Sequence, residues 1–156
     1  MKNQYSPENV ATFVAGLQTR NADLAMRTYT SRVIGLEEDL VLHGGGNTSV
    51  KSQITDLLGE RRDVLFIKGS GWDLATIMPQ GFPALDLNYL QRLRPLDTLS
   101  DKEMVNQFKT HMLDSSAPGP SIETLVHAFL PHKFIDHTHA DAIVTLTNMD
   151  QPEKRL

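Results

Sequence analysis

Residues 63–68, Asp-Val-Leu-Phe-Ile-Lys, set β-branched and aromatic side chains next to one another and stop at Gly69-Ser70-Gly71. Such a run packs on a pleated surface, and the glycines that close it break the strand. The chain must therefore contain a sheet. Helical patterning on either side then fixes the class. Residues 8–17 carry Val10, Phe13, Val14 and Leu17 at helical spacing, and residues 22–36 form a second helix that Asn21 is placed to cap. Residues 40–42 make a short apolar run that stops at His43-Gly44-Gly45-Gly46, after which Thr48, Val50, Ser52 and Ile54 alternate. That pattern predicts strand, glycine turn, strand.

Further on, prolines punctuate the chain into a short helix over 87–93 and a longer one over 101–113, where Ser100 and Glu103 make a capping box. Pro118-Gly119-Pro120 is a sharp turn, Ser121 opens a helix that runs to about Leu130, and residues 134–139 read as a strand. A last helix starts over 141–148. With no internal repeat or low-complexity segment, the mixture predicts an α/β or α+β domain.

At 156 residues the chain can bury one core, so a single domain over 1–156 is expected. Its net charge of -4, with Lys and Arg spread thinly and Arg61-Arg62 and Lys154-Arg155 as isolated surface pairs, argues against a nucleic-acid binder. Residues 1–10 lack the basic start and apolar run of a secretory signal, and no stretch approaches the roughly 20 apolar residues of a membrane span. A cytoplasmic protein with no membrane partner is expected.

Cysteine is absent, so any metal must be held by imidazole and carboxylate. His137 and His139 stand two apart in an otherwise apolar stretch, which on a strand points both rings to one side with Thr138 opposite. That geometry chelates. The same pattern also suits two partly buried histidines satisfied by polar neighbours. Asp136 and Asp141 flank the pair and are placed to orient a ring through its free N–H. His43, His111, His127 and His132 fit a third-ligand role poorly and read as surface or core. Glu123, in the first turn of the helix opened by Ser121, is either a carboxylate favoured by the helix dipole or a general base beside the metal.

Gly44-Gly45-Gly46-Asn47-Thr48-Ser49 combines backbone freedom with amide and hydroxyl donors, a composition that suits either a tight hairpin or a phosphate cradle. It matches neither the P-loop nor the dinucleotide fingerprint. Lys68-Gly69-Ser70-Gly71 is a second donor-rich turn, and Ser121 at a helix start is a third.

In this order and spacing, residues 42–50, Ile67-Lys68-Gly69-Ser70-Gly71, Ser121-Ile122-Glu123 and His137-Thr138-His139-Ala140 resemble the class II aldolase/adducin family. Residues 39–51 and 78–86 resemble in particular the N-terminal part of bifunctional rhamnulose-phosphate aldolase/alcohol dehydrogenases. The resemblance implies a three-layer fold with a central, mainly antiparallel sheet flanked by helices. It implies a homotetramer with active sites between subunits. It also implies that His137 and His139 bind zinc or another divalent metal, that Glu123 is the acid/base, and that Asn47, Ser70, Gly71 and Ser121 hold the phosphate of a small sugar.

Two departures stand out: Ile122 occupies a place where the family often has a second serine, and the family's third histidine lies well downstream of the pair. The chain thus resembles a domain cut before its third metal ligand. The implied activity is cleavage of a ketose 1-phosphate, such as rhamnulose 1-phosphate, to dihydroxyacetone phosphate and a short aldehyde. A non-catalytic adducin-like interaction module and a sugar-phosphate epimerase are the alternatives.

Overall fold

The computed structural model describes residues 5–150, so the Lys154-Arg155 pair lies outside the described residues. Two antiparallel strands, β1 (Asn47–Thr55) and β2 (Arg61–Ile67), form a hairpin at the centre of a sheet. The edge strands are β3 (Ala84–Asp86) beside β2 and β4 (Phe134–His137) beside β1, giving the order β3-β2-β1-β4 with every pairing antiparallel.

Alternation along β2 explains the layering. Val64 and Phe66 point to one face, where they pack with Val50, Ile77, Phe82 and Leu24. Leu24 belongs to α2 (Ala22–Gly35). Leu65 and Ile67 point to the other face and meet Leu87, Leu90, Phe108 and Ala128. Those residues come from α3 (Leu87–Arg92), α4 (Asp101–Thr110) and α5 (Thr124–Phe129). Helices therefore cover both faces of the sheet, which is the expected three-layer α/β arrangement. It also explains the unbroken apolar run of β2: each fully buried aliphatic contributes about 1.5–3 kcal/mol, and β2 buries side chains on both faces.

Local signals set several boundaries. Asn21 Oδ1 accepts from Leu24 N at 2.9 Å at the start of α2, and the Ser100–Glu103 capping box opens α4. The first helix, α1 (Pro7–Ala15), lies against α2 and is capped by Ser6. A short helix, α6 (Asp141–Thr147), follows β4. Among the described residues no helix is long and apolar enough to cross a membrane.

Four expectations are corrected. Residues 40–42 form no strand, because Leu40 and Val41 both donate to Glu37 O and prolong a helical turn, and Gly45 N closes a turn on Leu42 O. Gly46 then reverses the chain at φ +65, where a Cβ would stand 2.7 Å from His137 O. Only glycine allows that approach without strain. Second, the helix after the proline turn begins at Thr124 and not at Ser121, which leaves Glu123 at its N-cap. Third, β4 stops at His137, so His139 lies beyond the strand. Fourth, α4 ends at Thr110, after which Met112 bridges to Leu85 of β3, a strand too short to leave a period in the sequence.

Candidate active site

Strand pairing places Asn47, the first residue of β1, opposite His137, the last of β4. Register partners project to the same face, and here the side chains meet. Asn47 Nδ2 lies 3.0 Å from Glu123 Oε2 and 3.2 Å from His137 Nδ1. An amide nitrogen only donates, and this one faces both the carboxylate and the ring. Asn47 is 3% exposed, and among the described residues its buried Oδ1 has no hydrogen-bond partner. Such an orphaned acceptor costs about 1–3 kcal/mol. The opposite orientation would turn Oδ1 onto a carboxylate oxygen with no hydrogen to give.

Glu123 Oε1 stands 3.8 Å from His137 Nδ1, while Oε2 accepts from both Asn47 and Ser121 Oγ. Partial burial pushes this carboxyl up. The Ser121 hydroxyl, the residue's own backbone N–H and the nearby His137 outweigh that push and hold it below the ordinary glutamate range. It is therefore a carboxylate, a proton acceptor, at neutral pH.

His139 is exposed, and its N–H donates to Leu40 O at 2.9 Å, which ties the end of β4 to the loop before the glycines. The ring centroids of His137 and His139 are 4.8 Å apart. As a donor set, two imidazoles beside a carboxylate suit a borderline divalent cation. Among the described residues no group of three or more His, Cys, Asp or Glu side chains gathers around one point, so the pair fits as a partial ligand set.

Asp136 does not orient either ring. Strand alternation sends it to the other face, where its Oδ1 lies 2.6 Å from Nη1 of the buried Arg27. Arg27 also donates to Ser49 O, Ile135 O, Ser31 Oγ and Thr30 Oγ1, locking α2, β1 and β4 together. Of the other histidines, His43 is exposed, and His111 stacks on Tyr89.

The donor-rich turns converge through the backbone. Ser70 N donates to Gly119 O, and Ser121 N donates to Lys68 O, so the 68–71 turn and the Ser121 segment are stitched side by side. Ser70 and Gly71 are exposed, and Gly71 adopts φ +80. Asn47 and Ser121, by contrast, have their side-chain hydrogens turned onto Glu123 and His137. Sequence reasoning passed over Lys68 as a site residue. It is 3% exposed, and its Nζ donates to Gly44 O at 3.0 Å, pinning the glycine loop. Burial pulls its ammonium pKa down against the attraction of Glu123 and Asp73. The signal was present, since a lysine ends the most apolar strand at a glycine turn.

His127 lies under the site, 1% exposed, with Nδ1 2.7 Å from Ser49 Oγ. Together with Glu123, Val126, Leu130, Ile135 and His137 it lines a cleft of about 510 Å³. Burial, reinforced by His137, lowers its pKa from 6.5 to about 4. The unfolded chain binds this proton below about pH 6.5 and the folded chain only near 4, so stability is complete above 6.5 and is lost as pH falls toward 4. By pH 4.5 the loss should reach about 2.5 kcal/mol, read from urea unfolding across pH. His127→Gln should flatten that slope; an unchanged slope would remove His127 from the account.

The model of the family described as Class II Aldolase and Adducin N-terminal domain matches residues 27–155. A structure of the N-terminal class II aldolase domain of a conserved protein from Thermoplasma acidophilum superposes with a TM-score of 0.82 at 39% identity. It covers 99% of this chain and 68% of that one. A curated relative, the uncharacterized oxidoreductase YuxG of Bacillus subtilis (strain 168), is 45% identical over 122 residues. The match takes in 78% of this chain and spans 18% of that relative's length.

Proposed function

The chain belongs to the class II aldolase and adducin N-terminal domain family, and from that premise we propose a divalent-metal-dependent aldolase acting on a ketose 1-phosphate such as rhamnulose 1-phosphate. The products are dihydroxyacetone phosphate and a short aldehyde. One observation carries the reading: Glu123, held as a carboxylate, directs its unclamped oxygen toward one of two adjacent imidazoles, 3.8 Å from His137 Nδ1.

His137 and His139 would hold the metal, zinc by preference. When bound, it supplies Lewis-acid polarisation of the ketose carbonyl and stabilises charge on that oxygen. The rest of the work belongs to the chain. Glu123 Oε1 takes the proton from the substrate hydroxyl beside the bond that breaks, and returns it to the carbon left behind. Ser121 Oγ keeps Oε2 occupied, so that one carboxylate oxygen alone is available for the transfer. Ser70 Oγ and the backbone of Gly71 are the exposed donors that we assign to the phosphate, with the Lys68 ammonium behind the glycine loop supplying positive charge. We assign the active form to a homo-oligomer, a tetramer by analogy with the family.

The test is product formation. Incubated with zinc and rhamnulose 1-phosphate, the protein should release dihydroxyacetone phosphate, measured by its reduction with NADH in a coupled assay. A ketose phosphate returned with one inverted carbinol centre, and no triose phosphate, would replace the aldolase with an epimerase. No reaction with any ketose phosphate would refute the enzymatic reading.

A further inference from the structure

We propose that His43 is a further ligand of the substrate's phosphate, carried on a turn that the buried Lys68 ammonium backs. Its kinetic consequences rest on the aldolase reading above; the anion site does not. Residues 42–45 form a tight turn closed by Gly45 N, which donates to Leu42 O at 2.8 Å. His43 takes the first central position of that turn at φ 51, and among the described residues it is the one non-glycine with a positive φ. A Cβ strains the backbone there, and glycine would not. The next three residues are glycines, so the loop is relieved of side chains everywhere except at the position that carries an imidazole. What position 43 contributes is therefore its side chain, and the residue is exposed.

The neighbours of the turn indicate what that imidazole meets. On one side Gly45 lies against the histidine pair, since a Cβ on it would stand 3.6 Å from His139 Nδ1. On another, Lys68 Nζ donates to Gly44 O at 3.0 Å. Lys68 is 3% exposed, and among the described residues no carboxylate forms an ion pair with it; Glu123 and Asp73 attract it from farther off. A buried ammonium held by a neutral carbonyl is unfavourable until a negative charge arrives beside it. The backbone brings the other donor-rich segments to the same place, because Lys68 O accepts from Ser121 N and Ser70 follows two residues on. Nothing lies within 4 Å of a Cβ on Gly44, so the space next to His43 is open. An imidazole keeps at least one N–H whether neutral or charged, and donates to a phosphate oxygen in either form.

Two variants suit the strained backbone. His43→Gly removes the ring and the strain together, and His43→Asn keeps a side chain that tolerates the same φ but is shorter. In the zinc-loaded protein, both should raise KM for the ketose 1-phosphate about tenfold or more while kcat stays within about threefold, and the phosphate-free ketose should be unaffected. Titration with glycerol 3-phosphate, followed by phosphorus-31 NMR, needs no turnover and should show the same loss of affinity. The urea midpoint of His43→Gly should equal or exceed the parent's, because the strain goes with the ring. No binding of glycerol 3-phosphate by the parent, or equal affinity in the parent and both variants, would overturn the proposal. So would a loss of affinity that tracks a lower urea midpoint in both variants, since the ring would then be supporting the loop. A parent protein that cleaves no ketose phosphate, yet binds glycerol 3-phosphate and loses it in both variants, refutes the aldolase reading and leaves the anion site standing.

Discussion

Replacing Glu123 by glutamine should lower turnover by roughly 100-fold or more, equivalent to about 2.7 kcal/mol of transition-state stabilisation, while leaving the fold intact. The substitution suits this site because it removes the proton acceptor and little else. Oε2 of Glu123 accepts from Asn47 Nδ2 and Ser121 Oγ, and a glutamine carbonyl oxygen accepts the same two bonds. The new amide nitrogen then takes the place of Oε1 near His137 Nδ1. Unfolding free energy should stay within about 0.5 kcal/mol of the parent, as for substitutions that break no buried bond. Pre-steady-state mixing with the ketose 1-phosphate is the decisive measurement, because it separates proton transfer from binding. Near-normal turnover would return Glu123 to the role of a helix-start carboxylate, and a matching loss of stability would show that the effect was structural.

The second large effect lies outside the site. Gly35→Ala should cost more than about 3 kcal/mol of folding free energy. Gly35 ends α2, and a Cβ there would stand 2.2 Å from Ala75 N and 2.4 Å from the carbonyl carbon of Leu74. Both are backbone atoms, so no rotamer change relieves the clash. Nor can α2 slide away. Arg27, on the same helix, is bonded to Ser49 O, Ile135 O and Asp136, and Leu24 is packed into the core on that face. Gly44→Ala is the control, because nothing lies within 4 Å of its added carbon and the change should be nearly neutral. Urea midpoints for the two variants would settle the matter. A Gly35→Ala protein within about 1 kcal/mol of the parent would mean that the helix does not pack this tightly.

These expectations differ in how much of their basis could be read from residue order alone. The helices and the two long strands follow from period and capping, since side chains repeating every 3.6 or 2 positions create their faces locally. Asn21, Ser100 and Glu103 act on neighbours three residues away, and the structure has those bonds as expected. The His137–His139 pair was also legible, although His139 lies beyond the end of β4 and its ring comes within 4.8 Å of the His137 ring without strand alternation to place it.

Residues 40–42 show where local reading fails. Their apolar side chains suit a strand, but a strand also needs a partner for its N–H and C=O groups, and β4 already lies on the free edge of β1. Asp136 was misassigned for a related reason: it sits beside His137 in sequence, but the pleat turns it to Arg27 on the other face.

Sequence by itself determined most of the elements, the mixed fold class and the imidazole pair; the structure put the Glu123 carboxylate beside it. Tertiary structure alone decided what Asn47, Ser121, Lys68 and His127 do. Asn47 meets residues 76 and 90 positions away, and Lys68 meets Gly44 across 24. Hydrogen bonds of that kind leave no periodic trace, because their partners are chosen by strand register and by which donors remain unspent once the backbone is satisfied.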